Sequence, residues 1–319
     1  MRRLAFLVLV VAAACKKDEP APVAVDAAAP VESAKATSTP PPAVDTGEPI
    51  EARRKKVTKL EDEPALVAAS DALKKHYGGR VPKELSLQIA GRAVLVDGPE
   101  KPFAILVDAT GAVRWTKERP AAGIMPPVGP LALAGGPNGR IALAVCDPPT
   151  TRVALRIWDD DGSPFADYDA MDMDDCTTLS LLYWPRTGWL IVATRPGTTK
   201  AQLVKENGSM PWRRGMEIGA RSVTGAPASV AVDSDDSFVL VQYGTLSAEP
   251  GARPHAVAFR YDVHGAPLWP SPADLGAAPV ARIDDRIALD RPKIGVVHAT
   301  LAKGVEADLT SNGRVTQRQ

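Results

Sequence analysis

From position 85 to the C-terminus, apolar residues come in short runs, many alternating with polar ones, and turn-forming residues separate the runs. Little of this stretch has the spacing of a helix face. Short runs bounded by Gly, Pro, Asn and Asp are the pattern of β-strands joined by hairpins. The clearest unit is 102–115 (PFAILVDATGAVRW), an apolar strand, a tight turn and a second strand ending in Trp. The turn recurs at five places: Asp108 with Gly111, Asp159 with Gly162, Lys205 with Gly208, Asp262 with Gly265, and Thr310 with Gly313. The Gly supplies the positive φ of a tight hairpin, and Asp or Asn bonds its own turn backbone. Trp115, Trp212 and Trp269 each follow their Gly by four residues, Phe165 follows by three, and the last copy has no aromatic. The expected place of these aromatics is an outer strand, filling the space between neighbouring units.

Successive turn glycines are 51, 46, 57 and 48 residues apart, the length of a four-stranded unit. A second hairpin precedes each of these turns, at 85–96, 131–145, 179–193, 229–242 and 286–301. Five units of about four antiparallel strands account for the chain from 85 to 319. A unit of this kind cannot cover both its faces alone, so stacking in a ring is the economical arrangement. The expected fold is all-β, a β-propeller of about five four-stranded blades; a β-sandwich with similar hairpins is the alternative.

The N-terminal part follows other rules. Residues 1–14 hold a short basic start, Arg2 and Arg3, and an eleven-residue apolar run, LAFLVLVVAAA. Eleven helical residues rise only about 16 Å, roughly half a bilayer core, so the segment reads as a secretory signal peptide. Residues 18–51 are rich in Ala, Pro, Val, Ser and Thr, with three consecutive prolines at 40–42 and no aromatic. Such a segment cannot offset its ordering entropy by burial and is expected to be a solvated tether. Extended at about 3.1 Å per residue, it would reach on the order of 100 Å.

The basic run Arg53, Arg54, Lys55 and Lys56 is expected to be a solvated charge run, with contact to anionic lipid or cell-wall polymer as the alternative. One helix is expected over 62–79, with Asp62 as N-cap, Pro64 in the first turn, and Lys74, Lys75 and His76 before the closing Gly78. Its apolar face, Leu66, Ala69, Leu73 and Tyr77, is expected to pack on an edge or end of the following domain. The expected organisation is therefore 1–14 signal peptide, 15–51 tether, 52–84 basic segment and short helix, and 85–319 β-propeller-like domain.

Two resemblances follow from these residues. The small residues Ala12, Ala13 and Ala14 before Cys15 resemble the lipobox of bacterial lipoproteins, with Ala12 in place of the usual Leu. The resemblance implies cleavage before Cys15, acylation of its sulfur and new N-terminus, and a membrane partner held through two or three acyl chains. Lys16 rather than Asp follows the Cys, which points to the outer membrane of a cell envelope rather than the inner. The strand–turn–Trp phrase resembles the blades of quinoprotein-like (PQQ-like) propellers, whose motif is close to Ala-x-Asp-x-x-x-Gly-x-x-x-Trp. Here the Asp-to-Gly step is one residue shorter, the Lys or Glu after Gly is missing, and five units replace the common eight. The resemblance implies the architecture; no residues for a quinone pocket are recognisable, and no cofactor is expected.

Composition adds limits. The 319 residues are 45% apolar and 24% charged, with 30 Pro and 25 Gly, which suits a turn-rich globular chain. Removing Arg2 and Arg3 leaves 36 basic against 38 acidic side chains, so nucleic acid is not an expected partner. The two cysteines beyond Cys15 are an even pair in an exported chain, which suggests a disulfide between Cys146 and Cys176. Cys146 would end the second strand of its blade and Cys176 lie at the crossing into the next, two positions at the same end. The eight aspartates of 159–175 read chiefly as a solvated acidic loop; a calcium loop would need alternating ligands and a terminal Glu that are missing. His76, His255, His264 and His298 show no metal-ligand spacing, and no metal is expected. Neither a Gly-x-Ser-x-Gly elbow, a phosphate loop nor a His-Glu-x-x-His motif is present, so no catalytic residues are named. The loop residues Pro148, Pro149, Arg195, Pro196, Tyr243 and Pro250 are candidates for recognition. The functional expectation is an envelope binding or scaffold module for a protein or envelope-polymer partner. The alternative is an envelope hydrolase or lyase acting on carbohydrate or peptide at the propeller channel.

Overall fold

The computed structural model describes residues 52–97, 102–118, 120–121, 129–222, 226–233, 236–245, 252–277, 287–293, 295–301 and 306–318. The expected signal peptide, Cys15 and the expected tether lie outside the described residues. Five antiparallel sheets follow one another along the chain. Sheet 1 has the order β1 (Arg53–Val57), β2 (Leu85–Ala90), β3 (Ala93–Val96), β4 (Phe103–Val107) and β5 (Val113–Lys117). Sheet 2 comprises β6 (Leu131–Gly135), β7 (Ile141–Asp147), β8 (Arg152–Trp158) and β9 (Pro164–Asp172). Sheet 3 comprises β10 (Thr178–Trp184), β11 (Gly188–Arg195), β12 (Thr198–Lys205) and β13 (Met216–Glu217). In sheet 4, β14 (Arg221–Ser222) and β15 (Ser229–Asp233) both pair with β16 (Ser237–Thr245), followed by β17 (His255–Asp262) and β18 (Ala273–Ala277). Sheet 5 comprises β19 (Ala288–Lys293), β20 (Val296–Thr300), β21 (Glu306–Thr310) and β22 (Val315–Arg318). The all-β, propeller-like plan of five blades expected from the hairpin repeat is the one observed.

Near-continuous apolar runs such as LSLLYW in β10 are buried on both faces. Leu179 and Leu181 pack toward sheet 2, while Leu182 and Trp184 pack toward sheet 4. Four apolar cores of this kind join consecutive sheets. A fifth lies between sheet 1 and the helical segment. The expected single helix appears as two short ones, α1 (Pro64–Ala68) and α2 (Ser70–His76), broken at Ala69. Glu63, not Asp62, occupies the N-cap position. Leu66 and Leu73 are fully buried against β2, β3 and β4, so the helices cover a sheet face rather than an edge.

The turns behave as their sequence implies. Asp108 Oδ1 accepts from the Thr110 and Ala112 amides at 2.8 and 3.0 Å, and Asp262 Oδ1 accepts from His264 and Ala266, both at 2.8 Å. The hydrogen bond from the Thr110 hydroxyl, with the backbone bonds, holds the Asp108 carboxyl below its ordinary value. A second role of the turn glycine emerges between sheets. The Trp115 ring lies against Gly162 of the next sheet, and its Nε1 donates to the Asp160 carbonyl at 3.2 Å. Trp269 lies in the same way against Gly313 and donates to the Ser311 carbonyl at 2.9 Å. Trp212 packs on Gly265. At the sheet 2–sheet 3 junction the residue on Gly208 is Tyr168, not the expected Phe165, which is 42% exposed with the Arg140 guanidinium 3.6 Å from its ring centre. Only Trp115 sits on an outer strand; Trp212 and Trp269 fall in the segments that precede β13 and β18.

The series stops at the ends. Gly111 of sheet 1 has open space where the other turns hold an aromatic. Among the described residues, no strand pairing, buried cluster or aromatic wedge links sheet 5 to sheet 1. The face of sheet 5 turned away from sheet 4 carries polar groups, with His298 Nδ1 2.8 Å from Asp308.

Gly111 and Gly162 share a left-handed conformation, φ +86° and +82°, but a methyl group on Gly162 would lie 2.9 Å from Trp115. Gly111→Ala should therefore cost only the backbone strain, about 1–2 kcal/mol. Gly162→Ala should cost about 1–3 kcal/mol more through overpacking. Urea denaturation of the two variants measures the difference; equal losses would contradict the wedge.

Candidate binding site at the central cavity

β1, β2, β6 and β10, with the segment preceding β15, border one cavity of about 660 Å³. Leu87, Leu131 and Leu179 give it an apolar lining, and Pro130, Pro227, Thr177 and Thr178 border it from sheets 2, 3 and 4. The remaining wall is β1. The basic run is a strand, paired from Arg53↔Ile89 to Val57↔Leu85, and Arg53, Arg54 and Lys56 are exposed, as expected of a solvated charge run. Four charged residues carry no alternating apolar pattern, so the strand is specified by its partner β2 and by buried Val57.

Arg54, Lys55 and Lys56 all border the cavity. Arg54 Nη2 donates to the Leu131 carbonyl at 3.3 Å, a carbonyl that also accepts from Gln88 Nε2 at 2.7 Å. Gln88 in turn accepts from the Leu133 amide at 3.0 Å, so buried polar bonds fix sheet 1 to sheet 2 at the cavity wall. Ion pairs join Arg54 to Asp97, Lys55 to Glu63 and Lys56 to Glu84 at 3.5, 3.2 and 3.3 Å. The Lys56 and Glu84 side chains are 75% and 58% exposed, so their pair is readily exchanged. Among the described residues Asp97 is the one carboxylate lining the cavity, and Gln88 Nε2 also donates to it at 2.9 Å.

The disulfide between Cys146 and Cys176 is present, with Cα atoms 6.3 Å apart and a sequence separation of 30. It lies where the blade topology placed it, at the end where the inner strands begin. Cys146 N donates to the Pro130 carbonyl at 3.0 Å, and Cys176 directly precedes Thr177 and Thr178. The bridge therefore ties two walls of the cavity together.

The acidic stretch has a different explanation from the expected loop. Much of it is strand β9, and its carboxylates face arginines on neighbouring strands and segments. Asp159 pairs with Arg140, Asp160 with Arg114, Asp167 with Arg156, Asp169 with Arg152, Asp172 with Arg214 and Asp174 with Arg195. Among the described residues no group of three His, Cys, Asp or Glu is placed to hold a metal ion. The loop candidates do not reach the cavity: Arg195 is engaged by Asp174, Tyr243 is 2% exposed, and Pro148 and Pro149 form a 3-10 turn. Pro250 lies outside the described residues. The cavity wall formed by β1 escaped sequence reasoning, although the charge run itself was conspicuous.

Comparison with known protein families and with curated proteins yields no match. Among solved structures, a Synechocystis apocarotenoid oxygenase mutant has 9% identity and a TM-score of 0.39 over 73% of this chain. The chain spans 58% of the length of that oxygenase. Kluyveromyces lactis Hsv2p has 10% identity and a TM-score of 0.27, covering 69% of this chain and 71% of its own. A chain of the BBS1N–ARL6DN complex has 9% identity and a TM-score of 0.29, covering 85% and 86%. The fold description therefore rests on sheet order and strand register.

Removing the bridge with Cys146→Ser should lower stability by about 3 kcal/mol, the chain-entropy value for a loop of this size. Urea midpoints of the oxidised protein and the variant check this. An unchanged midpoint would mean the bridge constrains nothing.

Proposed function

We propose that this protein is a lipid-anchored cell-envelope binding or scaffold module, held through acylated Cys15, that receives a protein or envelope ligand at the central cavity. The cavity carries the reading: it is of ligand size and mixes apolar lining with a cationic strand. A glycosidase-type hydrolase needs paired carboxylates flanking the scissile bond. Among the described residues the cavity lining offers one carboxylate, Asp97, engaged by Arg54 and Gln88, which favours binding over that chemistry. The lipobox-like Ala12–Ala13–Ala14–Cys15 sequence supports the anchor, and Lys16 favours the outer membrane.

Metabolic labelling with a fatty-acid analogue should label the wild-type protein and not Cys15→Ser; equal labelling would overturn the anchor. Affinity capture from solubilised membranes should recover a partner with the wild-type protein that is lost with Lys56→Glu. A partner set indifferent to Lys56→Glu would overturn the cavity as the binding site.

A further inference from the structure

We propose that the free edge of β1 takes an extended, acidic polypeptide segment as an added strand. This rests on the cavity being the binding site proposed above. Among the described residues β1 is the terminal strand of sheet 1 and pairs on one edge only, with β2. Side chains of successive strand residues point to opposite faces, yet consecutive Arg54, Lys55 and Lys56 all border the same cavity. That occurs when a strand meets a cavity along its edge, so the unpaired amides and carbonyls of β1 face the space. Among the described residues the other walls, at Thr177, Thr178 and Pro227, contribute no carboxylate.

An exposed edge with alternating donors and acceptors is matched by another strand. A polyanion without a peptide backbone would meet the carbonyl oxygens of the same edge, which repel it. A peptide strand supplies an amide to those carbonyls and a carbonyl to the amides. Acidic side chains at alternate positions would lie beside Arg54 and Lys56, displacing the exposed Glu84 from its pair. Lysines on an edge strand can also serve simply to prevent pairing. That alternative predicts that nothing binds.

The test uses the full mature chain in detergent and a fluorescent Val-Glu-Val-Glu-Val-Glu peptide, read by anisotropy. We expect saturable binding, weakened roughly tenfold or more when alternate amides of the peptide are N-methylated and when Lys56 is replaced in Lys56→Glu. Lys56 is largely exposed, so the variant's thermal unfolding should match the wild type; Lys56→Ala, which adds no repulsion, should weaken binding less. Equal binding of the N-methylated peptide, or equally strong binding of polyphosphate at matched charge, would overturn strand addition in favour of a polyanion site. Absence of binding by every probe would leave the lysines as edge protection and also overturn it. Should strand addition fail while a captured partner still depends on Lys56, the broader binding reading stands alone.

Discussion

The contact on which the remaining structure depends is the aromatic ring seated on the turn glycine of the following sheet. It couples two features that sequence presents separately, the hairpin glycine and the Trp that follows it. Trp115 on Gly162 and Trp269 on Gly313 share one geometry, and Tyr168 at Gly208 and Trp212 with Met216 at Gly265 fill the equivalent places at the other two junctions. A Cβ would lie 2.9 Å from the aromatic side chain at Gly162 and Gly208 and 3.2 Å from it at Gly313, while at Gly265 Met216 lies nearer than Trp212, so these glycines are required for space as well as for their positive φ. Repetition of one contact fixes a similar relation between consecutive sheets, and that relation brings the inner strands around a common cavity. It also explains where the series ends, because the last copy lacks an aromatic and Gly111 receives none.

The cavity that results is not symmetrical. One sheet carries an additional inner strand, and that strand is the most basic stretch of the molecule. The buried bonds of Gln88 to Leu131 and Leu133 fasten the neighbouring wall, while the Cys146–Cys176 bridge fastens the next. Like β1, the terminal strands β6 and β10 are paired on one side only, but the cavity residues they carry are Leu131, Thr178 and Leu179, whereas β1 brings the basic run. Function is argued from that difference and not from the fold, which accommodates many activities.

Much of the fold was legible in sequence because strand runs, turn residues and spacing agreed with each other. The five inner hairpins and the five turns fall where alternation and the Asp or Asn bonds require. The disulfide was legible for the same reason, since blade topology puts Cys146 and Cys176 at one end. What escaped depends on contacts distant in the chain. Phe165 and Tyr168 lie three residues apart on β9, and only the register of that strand against β8 decides which faces sheet 3. The aspartates of 159–175 find arginines as far away as Arg92, which turns an apparent acidic loop into a paired surface. β1 has no apolar period to reveal it, because its strand geometry comes from β2.

The central claim is that the basic run is a strand at the cavity with one free edge. Hydrogen exchange across 52–58 in the mature protein tests it directly. Antiparallel pairing on a single side predicts protection of about half of these amides, at the positions bonded to β2, and prompt exchange of the others. Exchange of the whole segment at the rate of an unfolded chain would place the run outside sheet 1 and remove the cationic wall.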